Sequence, residues 1–124
     1  MLALALQAVA AFNLFCTGTE VHNPDLRTRT SSQRPFTEVI RVDLEARRWC
    51  SGDCRETFPI AQITNTQIVF ASNTSDRAAT DWVNVRVHRE SGTYLSEMLL
   101  SDRISIRNGT CQRAPFTGFP RRRF

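Results

Sequence analysis

The chain is 124 residues long and 41% apolar, enough for one small core and too little for a membrane-spanning bundle or a large nucleotide-binding enzyme. Its sixteen basic side chains are all arginine and outweigh twelve carboxylates, for a formal charge of +4. The lack of lysine excludes Schiff-base chemistry and a Walker-type phosphate site, and the five glycines are scattered rather than gathered into a phosphate-cradling loop.

Met1 to Ala11 reads MLALALQAVAA, with Ala8-Val9-Ala10 matching a small-x-small cleavage pattern. It reads as the apolar part of a secretory leader and is shorter than the ~20 residues a spanning helix needs. Phe12, Leu14 and Cys16 alternate with Asn13, Phe15 and Thr17, which predicts a strand running towards Val21. His22 to Arg34 is polar and reads as a loop. Phe36, Glu38, Ile40, Val42 and Leu44 then fall on one face of a strand, with Thr37, Val39, Arg41, Asp43 and Glu45 on the other. A turn at Glu45-Ala46-Arg47 leads back into Arg48-Trp49-Cys50. Thr57 to Pro59 is extended, Thr64-Asn65-Thr66 turns, and Gln67 to Ala71 is a short β-branched and aromatic run.

Ser72 to Asp81 is a second polar loop. After it, Val83, Val85 and Val87 alternate with Trp82, Asn84, Arg86 and His88. Glu90-Ser91-Gly92 turns the chain into a returning strand from Tyr94 to Leu99, with Gly92 at the left-handed position of a hairpin. Arg103, Ser105 and Arg107 alternate with Ile104 and Ile106, and Asn108-Gly109 reads as a turn before Cys111. From Arg113 to Phe124 two prolines exclude a central strand, leaving an extended basic tail. Its Arg121-Arg122-Arg123 run is the one place where weak contact with an anionic surface is expected.

Four cysteines allow three pairings. A Cys50–Cys54 bridge is locally easy, because Gly52 and Asp53 supply turn chemistry, and it leaves Cys16 with Cys111. The expected fold is therefore all-β, a small antiparallel up-and-down meander of roughly seven or eight strands, closed into a barrel by a bridge between the first and last strands. Its divisions are 1–11 as the leader-like segment, 12–112 as the barrel domain and 113–124 as the tail.

The inventory for catalysis is thin: no G-x-S-x-G or H-E-x-x-H occurs, and no catalytic residue, metal site or cofactor is expected. An enzyme would have to use His88 with Asp43 or Glu97. The arginines are spread along the chain and interleaved with carboxylates, so nucleic acid is not expected as a partner. Trp82, Asn84, Arg86 and Tyr94, with Trp49, form the candidate binding set. On a barrel rim their aromatic bodies and one guanidinium suit an anionic or amphipathic ligand.

The runs FNLFCTGT, IRVDLEARRWCSGDC, WVNVRVHRESGTY and GTCQRAPFTGFP resemble a group of small exported proteins of Gram-negative bacteria with no assigned activity. That resemblance covers Phe12 to Pro120 and implies export to the periplasm or beyond, disulfides and β structure. The reading of function is a non-enzymatic binding module for a small amphipathic ligand or a protein partner. In its inhibitor-like version the loops His22–Arg34 and Ser72–Asp81 plug a partner's cleft. The alternatives are the His88 enzyme and a structural envelope protein.

Overall fold

The computed structural model describes residues 10–72, 82–100 and 102–120. The alternating segments become nine strands: β1 (Ala11–Asn23), β2 (Ser32–Asp43), β3 (Arg48–Ser51), β4 (Phe58–Pro59), β5 (Gln62–Ile63), β6 (Gln67–Ser72), β7 (Trp82–His88), β8 (Thr93–Leu100) and β9 (Arg103–Ala114). They form one antiparallel sheet, ordered β4-β3-β2-β1-β9-β8-β7-β6-β5 and curled into a half-barrel. Every chain neighbour except β4 and β5 is a hydrogen-bonded partner, so the expected meander is present. Among the described residues no helix is long and apolar enough to cross a membrane.

β4 and β5 are the two edges of the half-barrel, unpaired with each other and joined through Ile60 and Ala61. Ile60 N–H donates to the Arg47 carbonyl at 3.0 Å, beside β3, while Ala61 N–H donates to the Phe70 carbonyl in β6 at 3.3 Å. Trp49 stands at this seam, with Phe58 at 5.6 Å and Phe70 at 5.3 Å between ring centroids. A β-bulge between Val69 and Ala71 inserts Phe70 as an extra residue and turns its ring inward, where it is 1% exposed.

The centre of the sheet is the β1–β9 ladder. Cys16 and Cys111 are directly opposed in it and disulfide-bonded, with Cα atoms 4.0 Å apart. Cys111 N–H points away from β1 and donates to Gly92 O, so the cysteines occupy a non-hydrogen-bonded pair, the kind in which side chains are closest. The second bridge joins Cys50 to Cys54, as expected, and no described cysteine is free. Two pairs along the ladder, past Thr17 and Thr110, Gly18 opposes Gly109. A Cβ on Gly109 would lie 2.0 Å from the Thr17 carbonyl oxygen, and one on Gly18 would lie 2.0 Å from that of Asn108. The space above the glycines is filled by their lateral neighbours, Phe36 and Tyr94, whose rings are 6.0 Å apart. Aromatic side chains covering bare glycine backbone is a recurrent device in strongly curved sheets.

The inner face carries the core: Phe12, Leu14 and Cys16 from β1, Phe36, Ile40 and Val42 from β2, Ile68 and Phe70 from β6, Val85 and Val87 from β7, and Tyr94 from β8. β3 covers only Ile40 to Asp43 of β2, leaving Ser32 to Thr37 as a sheet edge. Along it the odd-numbered residues aim their backbone groups outward, in phase with Val39, whose carbonyl accepts from Gly52 N. Pro35 takes one of these outward positions and has no N–H to offer a further strand, which blunts the edge.

Two expectations are corrected. Asn108-Gly109 is not a turn but part of β9, because the glycine is spent on the close approach to β1 rather than on a reversal. β1 runs to Asn23 and β2 starts at Ser32, so the first loop is confined to 24–31. It is held by Asp25, whose carboxylate accepts from Arg27 N–H at 3.0 Å and whose carbonyl accepts from Thr28 N–H at 3.0 Å. The chain after β9 is held on the outer face as far as Gly118. The Asn13 amide donates to Thr117 Oγ1 at 2.9 Å and accepts from Thr117 N–H at 3.3 Å, and Arg41 donates to the Gly118 carbonyl at 2.9 Å. Met1 to Val9 of the leader-like segment, most of the Ser72–Asp81 loop and Arg121 to Arg123 lie outside the described residues.

Two stability outcomes follow. Replacing Cys16 and Cys111 together by alanine should lower stability by about 4 kcal/mol, the chain-entropy scale for a link across 95 residues. Removing Cys50 and Cys54, four residues apart, should cost clearly less; denaturant titration followed by circular dichroism ranks the two. In the same assay Gly109→Ala should cost more than about 3 kcal/mol, since a methyl group there meets backbone rather than a side chain that can yield.

Candidate functional site

A groove of about 570 Å³ lies on the outer face. It is lined by Ala61, Gln62, Gln67, Val69 and Ser72 on one side and by Trp82, Asn84 and Arg86 on the other. β7 supplies its residues by simple alternation: Val83, Val85 and Val87 turn to the core, and Trp82, Asn84 and Arg86 turn out. β6 supplies the opposite wall with the help of the Phe70 bulge. Gln67 and Val69 face outward opposite His88 and Arg86, and the extra residue then shifts the phase so that Ser72 faces outward opposite Asn84. An unbroken strand would have buried Ser72.

The groove presents an indole (Trp82 is 37% exposed), three primary amides, a hydroxyl and a guanidinium. The Asn84 amide nitrogen donates to Glu97 Oε1 at 3.3 Å, which leaves its Oδ1 as an acceptor. No carboxylate or histidine is among the lining residues. The set can stack, donate to and accept from a polar ligand, and pair with an anion.

Trp82, Asn84 and Arg86 are thus brought together, while Tyr94 and Trp49 are not part of the groove. Tyr94 opposes Val87 and therefore takes the inward parity, 1% exposed. Trp49 lies in the core seam, and its Nε1 is buried without a hydrogen-bond partner. Gln62, Gln67, Val69 and Ser72 were not singled out by sequence reasoning. The signal for Gln67 and Val69 was their alternation with Ile68 and Phe70, whereas nothing local marks Ser72. The pairing of His88 with Asp43 or Glu97 is also corrected. His88 Nδ1 accepts from Ser91 N–H at 3.3 Å, Asp43 accepts from Ala46 N–H at 3.0 Å, and Glu97 accepts from Asn84. The three sit on separate parts of the sheet.

Tyr94 instead belongs to a charged cluster on the inner face. Glu20, with a side chain 3% exposed, faces Arg34 on β2 and Arg107 on β9, at 2.7 and 2.5 Å. Arg107 also reaches Glu38 at 2.6 Å and lies over the Phe36 ring, 5.3 Å from its centroid. Tyr94 donates to the other Glu38 oxygen at 3.0 Å. Burial by itself pushes the Glu20 carboxyl up, but the hydrogen bonds and charges of Arg107 and Arg34 together outweigh it and hold the group below its ordinary value. Burial and the adjacent Glu38 push the Tyr94 phenol well above its usual range, keeping it a neutral donor. For Arg107, burial is opposed and outweighed by the two carboxylates, which raise it.

Because the folded Glu20 carboxyl titrates below its reference of 4.5, the unfolded chain binds the proton first. The stability this group contributes is complete above about pH 4.5 and is lost as pH falls through the lower folded value. Thermal melts from pH 7 to pH 3 should therefore show a drop that Glu20→Gln flattens, at a loss of about 2 kcal/mol at neutral pH. A Glu20→Gln protein with the same acid profile as the parent would remove the cluster from the acid response. Comparison of the chain with protein-family models, with curated proteins and with solved structures finds no match.

Proposed function

We propose that this chain is a non-enzymatic, exported binding module whose outer groove takes an acidic saccharide. The observation that carries the reading is the convergence of Trp82, Asn84 and Arg86 with Gln62 and Gln67 in one groove. A sugar ring offers an apolar face for the indole and vicinal hydroxyls that planar amides bind as donor and acceptor together. A carboxylate on that ring matches the two-pronged guanidinium of Arg86. The volume of about 570 Å³ is within the ~300–1,000 Å³ range of small-molecule sites.

Export to the periplasm or the cell exterior is part of the same proposal. It is supported by the pairing of all four cysteines, since disulfides persist in oxidising compartments, and by the leader-like run that precedes β1.

The test is titration of the full chain with oligogalacturonate and with a neutral oligosaccharide of the same length, followed by tryptophan fluorescence and calorimetry. The acidic sugar should bind in preference, with Arg86→Gln weakening it about tenfold, the scale of one charge-assisted hydrogen bond. Trp82→Phe should remove most of the fluorescence change, because Trp49 is partly buried at the seam and does not line the groove. Equal binding of both sugars, or affinity untouched by Arg86→Gln and Trp82→Ala alike, would exclude the groove as the site.

A further inference from the structure

A second recess opens at the end of the inner face, remote in character from the amide-lined groove. Its volume is about 340 Å³, and its apolar floor comprises Phe12, Leu14, Leu44, Ile68 and Val87. The β7–β8 turn from His88 to Gly92 and Arg113 of β9 form its rim. Two arginines and one glutamate, Glu90, are the rim's charged groups, so its balance is cationic. The Arg113 guanidinium lies over the Phe12 ring, 5.7 Å from its centroid, at the border between floor and rim. Arg89 is held in place by its bond to the Thr64 carbonyl at 2.7 Å. His88 accepts from Ser91 N–H through Nδ1, which puts the proton of the neutral ring on Nε2. The hairpin that shapes the rim is rigid, since Gly92 adopts a left-handed φ of 77° and is pinned through its carbonyl to Cys111 N–H, next to the central disulfide.

We infer that this recess binds a single-chain amphipathic carboxylate, its hydrocarbon chain on the Phe12–Leu14–Leu44–Ile68–Val87 floor and its head group at Arg113. The floor repels a polar ligand, because nothing on it replaces lost hydration. The rim selects the anion over a neutral amphiphile by charge complementarity. A long lipid is disfavoured by the volume, which lies near the lower end of small-molecule sites, ~300–1,000 Å³. A chain of medium length with one head group fits both constraints. This site is independent of the outer groove, and neither reading needs the other.

The experiment uses the full chain with methyl-labelled leucine, isoleucine and valine, titrated with decanoate and with decanol. Decanoate should shift the Leu44, Ile68 and Val87 methyl signals in a saturable way. Decanol should bind at least about tenfold more weakly, and Arg113→Gln should lower decanoate affinity by about the same factor. Arg113 is exposed, so this variant retains the fold, and a circular dichroism melt checks that it does. Trp82→Ala should leave decanoate binding unchanged, which separates failure here from failure of the saccharide reading. No saturable shift, shifts confined to the outer groove, equal binding of decanol, or indifference to Arg113→Gln would each overturn the inference.

Discussion

The structure depends on the pairing of its first and last strands. Neither β1 nor β9 is an edge; together they are the middle of the sheet, and everything else is arranged outward from their ladder. Two pairs, separated by Thr17–Thr110, hold them at close range: a covalent one at Cys16–Cys111 and a bare one at Gly18–Gly109. Contacts between residues so far apart in the chain carry a large loop-closure cost. The disulfide reduces that cost by limiting the freedom of the unfolded chain. The glycine pair leaves that close approach free of side chains, and the curl of the sheet brings Trp49 of β3 against Phe70 of β6.

The same two rungs set the character of the inner face. On one side of them the core is apolar, from Phe12 to Phe70. On the other, Glu20, Arg34, Arg107, Glu38 and Tyr94 form a chain of charge-assisted bonds between three strands and the tyrosine hydroxyl. Breaking a paired buried charge is far more damaging than never having had it. The cluster therefore penalises any register in which β1, β2 and β9 slip by a residue, since a slip turns Glu20 to the opposite face. A sheet with a polar inner end gains specificity of pairing from this arrangement.

Much of this was legible in the residues. The cysteine pairing followed from a count of four and one short turn-rich loop, and with it came the adjacency of the chain's first and last strands. Gly92 announced the β7–β8 hairpin, and the valines of β7 fixed which side of that strand is buried. Tyr94 was misplaced although the means to place it were present: it pairs with Val87 and so shares the valine face. Asn108-Gly109 was read as a reversal because its role is set by Gly18, a partner about ninety residues away that local pattern cannot supply. The groove was half visible. Its β7 wall follows from alternation, whereas Ser72 owes its outward position to the bulge at Phe70, and a bulge leaves no period in the sequence.

The meander is a ring in connectivity. The start of β1 and the end of β9 lie next to each other, Asn13 facing Ala114. A chain rewired to begin within the Cys54–Phe58 connection, with β9 joined to β1 by a short flexible linker, would retain every ladder of the sheet. Such a permutant would convert the most distant pairing in the molecule into its most local one, and the central disulfide would become a link across a hairpin.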